Sequence, residues 1–125
     1  MKKLIIRKTE EIENWRRNIK SDINFIPTMG NLHDGHRKLI STAKNDNSNL
    51  NLVSIFVNPL QFDNKSDLEN YPKTVDNDIK TSFANGADAI FIPSTKDIFP
   101  PNNKNIKFLK APLELSSFAV DISLI

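Results

Sequence analysis

Two histidines lie three residues apart in a segment that also contains two glycines, residues 27–36. If the chain is helical there, His33 and His36 share one face and can act on one group. Gly30 can adopt a positive φ or let a ligand approach the backbone, and Gly35 leaves room near a helix start. Backbone amides at a helix start, together with the positive end of the helix dipole, favour an anion. The segment therefore indicates a site for the phosphates of a nucleotide.

The same ten residues also allow two simpler interpretations. In the first, the glycines are local turn residues and both histidines are hydrogen-bonded locally or solvated. An isolated His-x-x-His pattern favours this first interpretation. A zinc site is the second, because His33, Asp34 and His36 all carry possible ligand atoms. No cysteine or third, distant histidine completes a usual tetrahedral set, so the zinc interpretation is the weakest.

Length and composition favour an ordinary soluble domain. A chain of 125 residues forms one modest domain, which is small for an enzyme that holds several substrates. The 17 basic and 15 acidic residues form no block of one sign, so no nucleic-acid partner is predicted. The absence of cysteine excludes disulfides and thiolate chemistry and suits the cytoplasm. The short apolar run at residues 4–6 predicts neither a signal peptide nor a membrane span.

Strands and helices are predicted to alternate along the chain. This order favours crossover connections and a parallel α/β sheet flanked by helices. Continuous hydrophobicity in the third strand predicts that it is covered on both faces. Ligands of such sheets bind beyond the carboxyl ends of the strands, where the histidine segment lies. The predicted strands are residues 4–6, 23–27, 50–57 and 89–92, and the predicted helices begin near Thr9, Gly35 and Thr74.

The whole string Pro-Thr-Met-Gly-Asn-Leu-His-Asp-Gly-His resembles the signature of pantothenate synthetases, within the adenylyl-transferring superfamily marked by His-x-Gly-His. Further segments at 56–62, 67–74, 86–93 and 99–100 resemble later motifs of that family, in the expected order. The resemblance runs from about residue 23 to residue 100. It implies a Rossmann-like nucleotidylyl-transferase fold, with a nucleotide-binding domain at residues 1–112.

The resemblance also implies roles for individual residues. His36 corresponds to the family's general acid, and His33 assists it. An imidazole beside a phosphate has its pKa raised by the negative charge, which suits that role. The implied ATP-binding residues are Met29, Gly30, Asn31, Leu32, His33, Asp34, Gly35 and His36. Gln61 corresponds to the family's glutamine that contacts pantoate and, in the second step, β-alanine. The implied substrate-binding residues are Pro27, Thr28, Met29, Asn58 and Gln61.

A magnesium site is implied by the segment 76–78. Its residues match an acidic cluster that some family members place near Mg²⁺, so Asp76 and Asp78 are the candidate ligands. Asn77 departs from the family pattern at the middle position. Acidic residues in the first turn of a helix are also stabilising without any metal.

The implied reaction is an ATP-dependent carbon–nitrogen ligation in two steps. Pantoate attacks the α-phosphorus of ATP and releases pyrophosphate, and the amine of β-alanine then displaces AMP from the pantoyl adenylate. The family also implies a homodimer. Two alternatives stay open: a non-catalytic nucleotide-binding remnant, and another nucleotidyl transferase that uses His-x-Gly-His.

The end of the chain departs from the family pattern. Family members are about twice as long, and residues 113–125 are interpreted as a divergent tail of a truncated or frame-shifted product. We therefore expect the 125-residue chain to bind ATP weakly. On its own it is expected to form pantothenate at no useful rate.

Overall fold

The structure is a computed structural model that describes residues 3–44 and 49–99. The predicted domain end at residue 112 and the tail 113–125 lie outside these ranges. The strands are β1 (Leu4–Ile6), β2 (Ile23–Thr28), β3 (Leu50–Ile55) and β4 (Ala89–Phe91). The helices are α1 (Thr9–Arg17), α2 (Asp34–Lys44), α3 (Lys65–Glu69), α4 (Val75–Ala84) and α5 (Thr95–Ile98), with a 3-10 turn at Pro59–Gln61.

The four strands form one parallel sheet in the order β1-β4-β3-β2. The predicted parallel α/β sheet is therefore confirmed. Thr28 pairs with Ile55, and Ser54 pairs with Phe91, so the carboxyl ends of β2, β3 and β4 meet at one edge. The loops that leave these three strands consequently share that edge, which is where parallel sheets bind ligands.

Apolar side chains cover both faces of the sheet. The first face packs against α2 and α4, with Ile40, Val53 and Ile90 fully buried. Burying side chains of this size stabilises the fold by about 1.5–3 kcal/mol each. The second face packs against α1 through Ile12 and Trp15. Residues 51–55 of β3 are all buried, as its continuous hydrophobicity predicted.

Pro27 lies inside β2, although the sequence predicted that it would end the strand. The carbonyls of Asp22 and Thr28 accept hydrogen bonds from amides on the β3 side. Because backbone groups alternate along a strand, the nitrogen of Pro27 faces away from β3. β2 is an edge strand, so the missing N–H costs no ladder bond.

The predicted boundaries differ from the observed ones by a few residues. Helix α1 ends at Arg17, so Ile19 lies beyond it rather than on its inner face. Strand β3 ends at Ile55, two residues earlier than predicted. Helices α3 and α5 were not predicted, since five and four residues are too few to show a helical period. Within the described ranges, no helix has the length and apolar character to cross a bilayer.

Candidate nucleotide-binding site

The loop from β2 to α2, residues 29–33, turns sharply where it leaves the sheet. Gly30 has φ +80° and Asn31 has φ +53°, so two successive residues are left-handed. Glycine adopts this conformation freely, and asparagine is among the few other residues that tolerate it. The hydroxyl of Thr28 supports the turn, because it donates to the Ser54 carbonyl at 3.0 Å and accepts from the Gly30 amide at 3.1 Å.

Asp78, a residue of α4, anchors the loop through hydrogen bonds. The Asn31 amide donates to its Oδ2 at 2.9 Å, and the Leu32 amide donates to its Oδ1 at 3.0 Å. The Thr74 hydroxyl also donates to Oδ2, at 3.0 Å. Only 1% of Asp78 is exposed. A buried carboxylate needs such donors, and here they tie the start of α4 to the left-handed turn.

The two histidine rings lie against each other at the start of α2, with their centroids 4.1 Å apart. The His33 amide donates to Nδ1 of His36 at 3.1 Å, and the Gly35 amide donates to Nδ1 of His33 at 3.0 Å. A ring nitrogen that accepts a hydrogen bond carries no proton, so each neutral ring has its proton on Nε2. In the part of the chain that the structure describes, neither Nε2 has a partner. Two N–H donors are therefore left for a ligand.

The backbone amides of the loop differ from the expectation. The sequence predicted that they would point at an anion, but five of them bond within the protein. Their acceptors are the side chains of Thr28, Asp78, His33 and His36. A phosphate at this loop would thus meet the Nε2–H groups of the two imidazoles rather than these five amides, which belong to Gly30, Asn31, Leu32, His33 and Gly35.

Burial lowers the pKa of His36 below its ordinary value, and the neighbouring charge of His33 lowers it further. The negative charge of Asp78 opposes both effects in part. The ring is therefore neutral at pH 7, and the rise in pKa expected beside a phosphate has to come from the ligand itself. At the helix start, the hydrogen bond and charge of Arg37 keep the pKa of Asp34 below its usual value.

We expect the pKa of His36 to be below 6.5 in the folded chain without ligand, with Nδ1 unprotonated at pH 7. Because folding lowers this pKa, the neutral ring stabilises the fold fully above the unfolded pKa, and that contribution is lost as pH falls through the folded value. Long-range ¹H–¹⁵N spectra of the imidazoles across pH 5 to 8 report both quantities. A His36 pKa above 6.5, or a proton on Nδ1 at pH 7, would contradict this assignment.

The residues predicted to bind substrate lie at the end of β2 and on the loops that follow β2 and β3. Pro27 and Thr28 are buried in β2, and Met29 is half-buried. Asn58 begins the 3-10 turn after β3, where its Oδ1 accepts from the Leu60 amide at 3.0 Å. Gln61, at the end of that turn, is exposed. The topology thus places both predicted loops at one edge of the sheet. The loop after β3 carries the side-chain amides of Asn58 and Gln61.

The two predicted magnesium ligands do not form a metal site. Asp76 is exposed on the first turn of α4, whereas both oxygens of the buried Asp78 accept hydrogen bonds from the protein. Across the described ranges, no group of three His, Cys, Asp or Glu side chains could hold a metal ion. The buried Asp78 does not fit Mg²⁺, because its oxygens already accept these hydrogen bonds. Asp76 stays a predicted ligand that the geometry does not test.

Tyr71, between α3 and α4, is a residue to which the sequence assigned no role in the site. Its ring packs edge-on against Phe62, with the centroids 5.5 Å apart. Burial raises the pKa of Tyr71, and the charge of Asp78 raises it further. The charge of Asp78 therefore raises the pKa of both Tyr71 and His36.

Comparison with known proteins identifies the family. The sequence model of the pantoate–beta-alanine ligase family matches residues 4–120 of this chain. The chain belongs to the pantoate–beta-alanine ligase family. The match continues eight residues past the predicted domain end at 112.

Relatives of this family are similar over most of the chain. A bifunctional pantoate ligase/cytidylate kinase of Prochlorococcus marinus (strain MIT 9301) is 87% identical over 94% of the chain. The pantothenate synthetase of Alteromonas mediterranea is 46% identical over 82% of the chain. The chain spans only 23% of the first relative's length and 36% of the second's.

Solved structures of the family share the fold. A pantoate–beta-alanine ligase from Francisella tularensis, complexed with beta-gamma ATP and beta-alanine, matches with a TM-score of 0.74 and 39% identity. The match covers 80% of this chain and 39% of that one. A pantothenate synthetase from Thermus thermophilus matches with a TM-score of 0.70 and 32% identity, over 79% of this chain and 35% of that one. The Rossmann-like nucleotidylyl-transferase fold implied by the sequence is therefore confirmed.

Proposed function

We propose that this chain forms the ATP-binding part of a ligase that condenses pantoate with β-alanine through a pantoyl adenylate. The pairing of His33 and His36 carries the proposal, because it leaves two Nε2–H donors together at the ligand edge of the sheet. The Francisella tularensis relative, which shares this fold, is complexed with beta-gamma ATP and beta-alanine. The chain spans 23% to 39% of its relatives, so the complete reaction goes beyond the residues present.

The reaction begins at the α-phosphorus of ATP. A carboxylate oxygen of pantoate forms a bond to this phosphorus, and the bond to pyrophosphate breaks. The amine of β-alanine then attacks the acyl carbon, the bond to AMP breaks, and the amine loses a proton. No step needs a protein nucleophile, so catalysis consists of positioning and stabilisation of charge on phosphate oxygens.

The histidines act on those oxygens. Nε2–H of His36 donates to a phosphate oxygen, and His33 supplies a second donor. A nearby phosphate raises the pKa of His36 from its lowered value in the free chain, so the ring can become a general acid as charge develops. The remaining proposed ATP-binding residues contribute mainly the shape of this segment, because the amides of Gly30, Asn31, Leu32 and Gly35 already donate within the protein. They are Met29, Gly30, Asn31, Leu32, Asp34 and Gly35.

Pantoate is proposed to bind between the two loops at the sheet edge. The amide of Gln61 can donate and accept, which suits a hydroxy acid, and its side chain is exposed. Asn58 shapes this loop by accepting from the Leu60 amide. The hydroxyl of Thr28 is already hydrogen-bonded, so it is not available to the substrate. The proposed contribution of Pro27, Thr28 and Met29 is therefore mainly the shape of the site. A homodimer and a requirement for Mg²⁺ stay predictions from the family.

A chimera tests the proposal at the level of the first step. Residues 1–112 of this chain replace the matching segment of the Prochlorococcus marinus relative, and exchange of labelled pyrophosphate into ATP is measured with and without pantoate. We expect exchange that depends on pantoate and needs no β-alanine. A folded chimera that binds ATP without exchange would favour the non-catalytic remnant. A folded chimera that binds no ATP would contradict nucleotide binding altogether.

A further inference from the structure

Asp78 is the most buried charged side chain next to the histidine loop. It lies 46 residues beyond Leu32 in sequence, yet its two oxygens accept the amides of Asn31 and Leu32. In the described ranges no salt bridge reaches it, so hydrogen bonds from Asn31, Leu32 and Thr74 compensate its burial. Removing such an acceptor leaves partly buried donors unsatisfied, which costs more than the loss of a surface contact.

Asp78 binds one of the two loop residues with a left-handed backbone and lies against the other. Asn31 adopts a left-handed conformation that non-glycine residues take only at a cost, and its amide is one of the two that Asp78 binds. Gly30 lies so close that an added Cβ would be 3.0 Å from Oδ2 of Asp78. The carboxylate therefore fits the glycine turn closely and stabilises a conformation that the loop would not keep by itself.

The left-handed turn also sets the place of the histidines. Leu32 packs into the core beneath α2, and its amide is fixed by Asp78. The next residue, His33, donates its amide to His36 and so orients the second ring. A chain of contacts thus runs from Asp78 through Leu32 to the two imidazoles.

We propose that Asp78 is the positioning residue of the histidine loop and not a magnesium ligand, an inference that rests on ATP binding as the proposed function. Its oxygens face backbone amides, and 1% exposure leaves them no access to a hydrated ion. Asp78 contacts no phosphate and acts on ATP only through the loop. Asn77, the preceding residue, is exposed on the same helix and provides the control.

Asp78→Asn tests this role, because an amide of the same shape can accept only one of the two backbone donors. We expect ATP affinity to fall about tenfold or more, equally with Mg²⁺ and with EDTA, at a temperature where the chain is folded. Asn77→Ser should change the affinity less than about twofold, as a surface substitution. In ¹H–¹⁵N spectra, only Asp78→Asn should shift the Asn31 and Leu32 amides strongly.

Unchanged Asn31 and Leu32 amides in folded Asp78→Asn, or unchanged ATP affinity, would overturn the proposal. A loss of affinity confined to samples with Mg²⁺ would overturn it in favour of a metal ligand. If Asp78→Asn does not fold, Thr74→Val removes one donor from Oδ2 and should shift the Asn31 amide more than the Leu32 amide, with a loss of ATP affinity of about threefold. Equal, small shifts of the Asn31 and Leu32 amides in Thr74→Val would contradict the positioning role of Asp78. If the unaltered chain binds no ATP, the proposed function fails while the amide shifts still decide the anchoring.

Discussion

His36→Asn should weaken ATP binding by about 1.5–3 kcal/mol, roughly 10- to 150-fold, because a charge-assisted hydrogen bond to phosphate is lost. The asparagine oxygen can still accept from the His33 amide as Nδ1 does, so the loop keeps its internal contact. Unfolding free energy should therefore change by less than about 1 kcal/mol. Calorimetric titration with ATP and thermal unfolding of the same variant measure the two effects.

His36→Gln is the matched control for this substitution. Its longer side chain can place an N–H near the position of Nε2, so ATP affinity should fall less than in His36→Asn. Equal losses in both variants would point to the imidazole shape rather than to the Nε2 donor. A large drop in melting temperature with unchanged affinity would show that His36 is structural and that its proposed role is wrong.

Gly30→Ala should both destabilise the fold and distort the β2–α2 loop. The new side chain would have to adopt φ +80°, which costs about 1–3 kcal/mol. Its Cβ would also lie 3.0 Å from Oδ2 of Asp78 and 3.3 Å from Cγ2 of Ile55. We expect the melting temperature to fall by roughly 5–20 °C for a domain of this size. ATP affinity should fall as well, measured below the new transition.

Gly35→Ala separates backbone strain from ring displacement. Gly35 lies in the first turn of α2, and an added Cβ would meet only the ring of His33, with Cε1 at 2.8 Å. Because that ring is exposed and can move, stability should change little while ATP affinity decreases.

If Gly30→Ala melted like the unaltered chain, the left-handed turn would not be the strained, Asp78-held element described here.

The sheet could be predicted from the sequence because its signals are local. Apolar runs bounded by proline, asparagine and glycine defined four strands, and their alternation with helices required parallel pairing. The strand order β1-β4-β3-β2 was not predicted, since periodicity does not show which strands are neighbours. Pro27 was misplaced for the same reason: whether a proline ends a strand depends on whether the strand lies at an edge.

The site could be predicted only in part. Both histidines and the left-handed capacity of Gly30 followed from residue type and spacing. The role of Asp78 could not follow, because an acid in the first turn of a helix has the same pattern whether it faces solvent, a metal or a distant loop. Thr74, four residues earlier, is the N-cap residue of α4, close to the predicted helix start, but its hydroxyl donates to Asp78 and caps no backbone amide.

The central claim is that ATP binds at the paired histidines of the β2–α2 loop, and a titration followed by NMR tests it most directly. Ring and amide resonances of the 125-residue chain are recorded while ATP is added. We expect saturable shifts of the His33 and His36 ring signals and of the amides in residues 29–36, with the His36 pKa rising as ATP binds. Saturable binding whose shifts are confined to residues far from this loop, or no binding at all, would contradict the account.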